Sequence, residues 1–174
     1  PDERPQMVTV RPNTFRAEKT NDTVSEITKA VFDFHKQADS QVIATEPIIN
    51  SSSKLDDAKV VIALGRGAYN EKNIELAKDL AAKLGGMVGV SRPLTDEPEF
   101  THDDQIGIGG AKLSADLLIN LGISGAVQYT VGIKNAKKIV SVNIDNDAPI
   151  FEESDFAYVG DVTDFLTAFA KQVR

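Results

Sequence analysis

From Leu55 onward the chain alternates uninterrupted apolar runs of strand length with helix-like or crossover segments. The runs are 58–64, 87–90, 117–121, 138–143 and 156–159, and each stops at glycine or a polar turn. Strands buried on both faces read as continuous apolar runs, whereas half-solvated antiparallel strands alternate polar and apolar residues. The order of elements therefore predicts a parallel sheet with covering layers on its two faces. Helices are expected over 71–84, 124–131 and 162–172. The first carries Ile74, Leu76, Ala77, Leu80, Ala81 and Leu84 near helical spacing and is stopped by Gly85-Gly86.

The expected fold class is α/β: a Rossmann-like three-layer domain with a mostly parallel sheet over 55–174, preceded by an extended N-terminal arm over 1–54. The arm is punctuated by Pro1, Pro5, Pro12 and Pro47. Within it, 7–10 and 41–45 read as short strands, 23–37 as a weak helix and 50–53 as a loop. The chain starts at Pro1 without a methionine and reads as a piece excised from something longer.

Composition removes several functions. With no Cys among 174 residues there is no disulfide, thiolate zinc site, cysteine-ligated iron–sulfur cluster or Cys nucleophile. His35 and His102 are the only histidines, too few for a histidine-rich metal site. His102 reads as a solvated loop residue. A net charge of −7 argues against nucleic acid and anionic lipid as partners. No run reaches the ~18 apolar residues of a membrane span. No Ser/His/Asp set or paired-carboxylate motif stands out, which favours ligand binding or redox work over hydrolysis.

In open parallel sheets ligands bind beyond the carboxyl ends of the strands. The punctuation falls there: Gly65-Arg66-Gly67, Ser91-Arg92, Gly122-Ile123-Ser124-Gly125, Asn143 with Asp145, and Gly160-Asp161. Gly122–Ala126 joins a strand to a helix, where glycines admit close approach and free N–H groups with the helix dipole suit a diphosphate. An ordinary Ser-capped turn is the competing reading, and the segment is neither GxGxxG nor a P-loop. Gln105–Gly110 is a second glycine-rich loop, in competition with a mobile surface loop. Arg92, locked before Pro93, is a candidate cationic contact or else a surface ion-pair partner. Asn143 and Asp161 suit ribose or adenine, or else cap turns.

Read in order, Gly65-Arg66-Gly67, 88–93, 104–107, 122–128, 142–145 and Ala148-Pro149-Ile150-Phe151 resemble the C-terminal FAD-binding domain of the electron transfer flavoprotein alpha subunit. The resemblance runs from about Arg4 to the end. The 122–128 and 148–151 blocks are specific in combination. Arg4–Pro12 resembles the hand-over from the family's first domain, which is missing here.

The resemblance implies FAD in an extended pose. By position, Arg66 lies near the cofactor, Ser91 approaches the diphosphate and Arg92 the isoalloxazine edge. Ile106, Gly107, Ile108 and Gly109 wrap the ring and ribityl chain. Ser124, Gly125, Ala126, Val127, Gln128 and Tyr129 run beneath the ribityl–diphosphate region. Asn143, Asp161 and Val162 surround the adenosine half. It further implies an electron carrier rather than an enzyme, paired with a beta subunit and fed by flavoprotein dehydrogenases, in the bacterial cytoplasm or the mitochondrial matrix. A nucleotide-binding module for AMP or NAD without electron transfer is the alternative.

Two positions depart from the family pattern. Gly109 stands where a Thr or Ser hydroxyl is common near flavin N5, and Tyr129 where His is common near N1/O2. Ala115 and Leu118 replace the usual Pro and Tyr, a packing variation. Reduced flavin can be anionic, so Arg92, cationic at any working pH, stabilises it. At ~4 Å and an effective dielectric near 20 the raw attraction is ~4 kcal/mol, of which desolvation leaves ~1–2. For a one-electron couple ~1.4 kcal/mol is ~59 mV. A neutral phenol at 129 supplies only a hydrogen bond, so the anionic one-electron-reduced flavin is expected to be less stable here than in relatives with His.

Overall fold

The computed structural model describes residues 4–10, 28–29, 31 and 55–173. Five strands form one sheet: β1 (Val60–Leu64), β2 (Met87–Val90), β3 (Leu117–Leu121), β4 (Ile139–Asn143) and β5 (Phe156–Val159). Every pairing is parallel, and the order is β2-β1-β3-β4-β5. The chain thus leaves β1 towards one edge through β2, then returns past it to build β3, β4 and β5 outward. The crossovers reverse between β1 and β3, which is the switch point where such sheets open a ligand crevice.

The apolar runs alternate their side chains between two buried layers. Ile62, Leu64, Ile119, Leu121 and Val142 pack with α1 (Glu71–Lys83) and α3 (Val162–Phe169). Val61, Ala63, Leu118 and Ile139 pack on the other face with Ile106, Leu113, Tyr129, Ile133 and Ile150. Each fully buried aliphatic side chain contributes roughly 1.5–3 kcal/mol. The first face is helical. The second is covered mainly by connecting loops, because α2 (Val127–Thr130) is only one turn long.

Helix α1 starts where the Asn70 side chain accepts from the Asn73 N–H at 2.8 Å, and it stops before Gly85 at φ +63°. Helix α3 starts at Asp161, whose Oδ1 accepts from the N–H groups of Thr163 and Asp164 at 2.7 and 3.1 Å. Those bonds hold the Asp161 carboxyl below its usual pKa. A carboxylate depressed in the folded state stabilises above its unfolded pKa near 3.9 and loses that contribution as pH falls through the folded value. Asp161→Ala should therefore lower the melting temperature at pH 7, and thermal scans should show the gap narrowing as pH falls below the ordinary carboxylate range.

Three expectations change. Residues 6–10 form no strand, and Met7, Val8 and Val10 are exposed, for no described strand pairs with them. Thr28, Lys29 and Val31 are not helical; the rest of 23–37, with 41–45 and 50–53, lies outside the described residues. Strand β5 is apolar yet exposed along its length, because it is the sheet edge.

Candidate functional site

The sheet's hydrogen-bond ladder continues one residue past β1, β2, β3 and β5, is joined by Ile106 of the next loop, and fixes the turns that follow. Gly65 N donates to Leu121 O, Ser91 N to Leu64 O, Ile106 N to Val90 O, Gly122 N to Val142 O and Gly160 N to Asn143 O, all at 2.8–2.9 Å. At the switch point two turns touch backbone to backbone. Gly67 N donates to Gly122 O at 3.1 Å, and a Cβ placed on Gly122 would lie 2.4 Å from Ala68 N. Gly122 also has φ +61°, so only glycine fits without strain.

A cavity of about 700 Å³ opens beyond these strand ends. Its size falls within the usual range for small-molecule and cofactor pockets, ~300–1,000 Å³. Of the residues expected at a ligand, Arg66, Ser91, Arg92, Ile106 and Ile108 line it. So do Ser124, Ala126, Gln128, Tyr129 and Asn143. Residues from the ends of β1, β2, β3 and β4 thus converge on one space.

The others sit around it. Gly107 (φ +112°) lies against Gln128 O, and Gly125 (φ +92°) against the backbone of Ile150, so both set loop courses rather than wall positions. Gly109 (φ +81°) is exposed, with Gln105 Nε2 3.7 Å from where its Cβ would lie, and Val127 is exposed. Asp161 is engaged as the α3 cap and Val162 is buried in the helical-face core. These last two follow the edge strand β5, at the side of the sheet away from the switch point.

Eight further residues line the cavity that the sequence does not single out one by one: Gly67, Pro93, Gln105, Gly122, Ile123, Asp145, Ala148 and Pro149. All eight stand inside the glycine, Pro and family blocks, so the signal is present. Gln105 is the informative one. Almost wholly buried, it donates through Nε2 to Ile108 O at 2.8 Å and accepts from Ala111 N at 2.7 Å through its backbone carbonyl. It pins the 106–111 loop to the cavity.

The donor set suits an elongated phosphate-bearing aromatic. Arg66 and Arg92 face the cavity with no ion-pair partner among the described residues. The backbone N–H groups of Ser124, Gly125 and Ala126 meet no backbone carbonyl among the described residues. Ser124 and Ala126 line the cavity, and α2 is too short for a helix dipole to add much. Ile106, Ile108, Ile123, Ala148 and Pro149 supply apolar wall. Asn143 lines the cavity while its amide donates to Ile123 O at 2.9 Å and its Oδ1 accepts from Asp145 N at 3.0 Å, so it also builds the wall. Burial pushes the Tyr129 phenol far above its ordinary pKa, keeping it neutral.

Residues 54–134 match the family described as the electron transfer flavoprotein FAD-binding domain. The electron transfer flavoprotein subunit alpha of Thermoanaerobacterium thermosaccharolyticum is 32% identical over 100% of this chain and 53% of its own length. The chain belongs to the electron transfer flavoprotein alpha subunit family. The mitochondrial alpha subunit of Arabidopsis thaliana is 35% identical over 93% of this chain and 47% of its own length. Protein FixB of Azorhizobium caulinodans is 40% identical over 94% and 44%. The chain therefore spans about half the length of these curated relatives. The matched domain is the family's FAD-binding one, and the guanidiniums, glycine turns and apolar walls of the cavity fit that cofactor. No helix among the described residues is long and apolar enough to cross a membrane.

Proposed function

We propose that residues 55–174 hold FAD in the cavity beyond β1, β2, β3 and β4 and carry electrons between flavoprotein dehydrogenases and a downstream acceptor. In this reading residues 1–54 belong to an arm from a preceding domain, and a beta subunit completes the protein. The observation that carries the reading is the convergence of two guanidiniums and two touching glycine turns on one cavity at the sheet's switch point.

FAD, when bound, supplies a ring that takes up and releases one or two electrons. The chain's part is binding, orientation and charge. Arg66, Ser91, Arg92 and the open N–H groups of 124–126 meet the phosphates and the electron-rich ring edge. Charge-assisted hydrogen bonds of this kind are worth roughly 1.5–3 kcal/mol each. Ile106, Ile108, Ile123 and Pro149 exclude water, which strengthens each polar contact by lowering the local dielectric. No covalent step is required of the protein, consistent with a site that holds cations and amides rather than an acid–base pair. Asp161 and Val162, outside the cavity wall, meet the adenosine end only if it extends past Asn143 towards β5.

The test is to denature the purified protein and identify any released chromophore by mass, then to titrate cofactor-free protein with FAD. A yellow protein absorbing near 370 and 450 nm and releasing FAD supports the reading. Colourless protein that takes up AMP or NAD and refuses FAD supports a nucleotide-binding module instead.

A further inference from the structure

A buried polar chain runs inward from the cavity. The Tyr129 hydroxyl donates to Asn120 Oδ1 at 2.6 Å, and Asn120 Nδ2 donates to Ser141 Oγ at 3.0 Å. Ser141 Oγ lies 2.6 Å from Ser154 Oγ, which is 2.7 Å from Ile150 O. Asn120 and Ser141 are directly paired across β3 and β4, and both are wholly buried. An amide in mid-strand of a parallel sheet is costly unless both its ends are satisfied. Here Tyr129 satisfies one and Ser141 the other.

The distances fix the direction of the chain. A separation of 2.6 Å suits O–H···O and is short for N–H···O, whereas 3.0 Å suits N–H···O. The Asn120 oxygen therefore faces Tyr129 and its nitrogen faces Ser141. Ser154 has one proton; given to Ile150 O, it leaves Ser141 to donate to Ser154. The donors then run in one direction, from Tyr129 through Asn120, Ser141 and Ser154 to Ile150 O.

The geometry points to Asn120 as a positioning residue that spends the only proton of Tyr129, so that Tyr129 offers a bound flavin no hydrogen-bond donor. This rests on the flavin reading of the site. It changes the role expected for position 129 from the sequence, where the phenol supplies a hydrogen bond. Charge stabilisation of the reduced ring then falls to Arg66 and Arg92.

The experiment measures the midpoint potential of FAD bound to the full chain, together with thermal unfolding of the cofactor-free protein, for Tyr129→Phe, Asn120→Ala and the double variant. Tyr129→Phe should leave the potential unchanged or raise it. Asn120→Ala should raise it by releasing the Tyr129 proton towards the ring, and the double variant should return it to the Tyr129→Phe value. Without cofactor, each single variant should unfold at lower temperature, and the double should lose less than the sum of the two. A fall in potential in Tyr129→Phe, or additive destabilisation, overturns the assignment. Protein that refuses FAD overturns the proposed function, and the assignment of the Tyr129–Asn120 bond is then decided by the unfolding cycle alone.

Discussion

Gly122→Ala should unfold the domain about 8–20 °C earlier and abolish retention of FAD. The methyl group would need to sit 2.4 Å from Ala68 N and 2.6 Å from Gly67 C, both backbone atoms that cannot rotate away. Overpacking of this sort costs about 1–3 kcal/mol. The left-handed backbone at φ +61° adds about 1–2 kcal/mol for any residue with a Cβ. For a domain of this size each kcal/mol moves the midpoint by roughly 4 °C. The strain has one relief, separation of the Gly65–Ala68 turn from the 122–126 turn, and that opens the floor of the cavity. Gly85→Ala is the control. Its φ is +63°, yet nothing lies within 4 Å of the added Cβ. It should lose only the dihedral part, about 1–2 kcal/mol, and keep FAD. Differential scanning calorimetry with and without FAD separates the two. Equal losses in both variants would mean that backbone approach at the switch point is not limiting.

The strands were legible because burial on both faces leaves a continuous apolar run, and the runs at 87–90, 117–121 and 156–159 match β2, β3 and β5 residue for residue. The same cue misled about cover. Phe156, Tyr158 and Val159 look like an interior strand, but sheet order is a long-range property, and order places β5 at the edge with all three exposed. The cavity was legible through its turns, since glycine and polar residues at strand ends are a local signal. The helix after β3 was overextended because Ser124–Ala126 has composition suited to a helix start, whereas the Gly125 backbone at φ +92° delays α2 to Val127. Asn120 was invisible as a functional residue. In sequence it is one polar residue within an apolar run, and only the β3–β4 register and the fold of 122–129 bring Ser141 and Tyr129 to its two ends. Position 129 could be named from the resemblance, but the direction of its hydrogen bond could not.

The double variant Arg66→Ala/Arg92→Ala should bind FAD about 10²–10⁴-fold more weakly, with no loss of stability in the cofactor-free protein. Taking one guanidinium away from a charged ligand group costs about 1.5–3 kcal/mol, and each 1.4 kcal/mol is tenfold in affinity. Both ends of the range add the two residues' costs. Neither side chain has an ion-pair partner among the described residues, so removal orphans no buried carboxylate there. It also relieves whatever repulsion two cations lining one cavity exert on each other. The cofactor-free melting temperature should therefore hold or rise, the opposite of Gly122→Ala. The salt dependence of FAD binding, measured by fluorescence titration, should flatten in the double variant because exposed charge attraction is what salt screens. The single variant Arg92→Ala, saturated with FAD, should have a midpoint potential lower by about 40–90 mV, the equivalent of ~1–2 kcal/mol lost on reduction. Arg92→Lys should recover part of the potential but less of the affinity, since an ammonium keeps the charge without the planar fork that meets two oxygens at once. An Arg92→Ala protein with native potential and native affinity would place the cofactor's charged edge elsewhere in the cavity. The cation nearest that edge would then have to be Arg66, the other guanidinium on the wall.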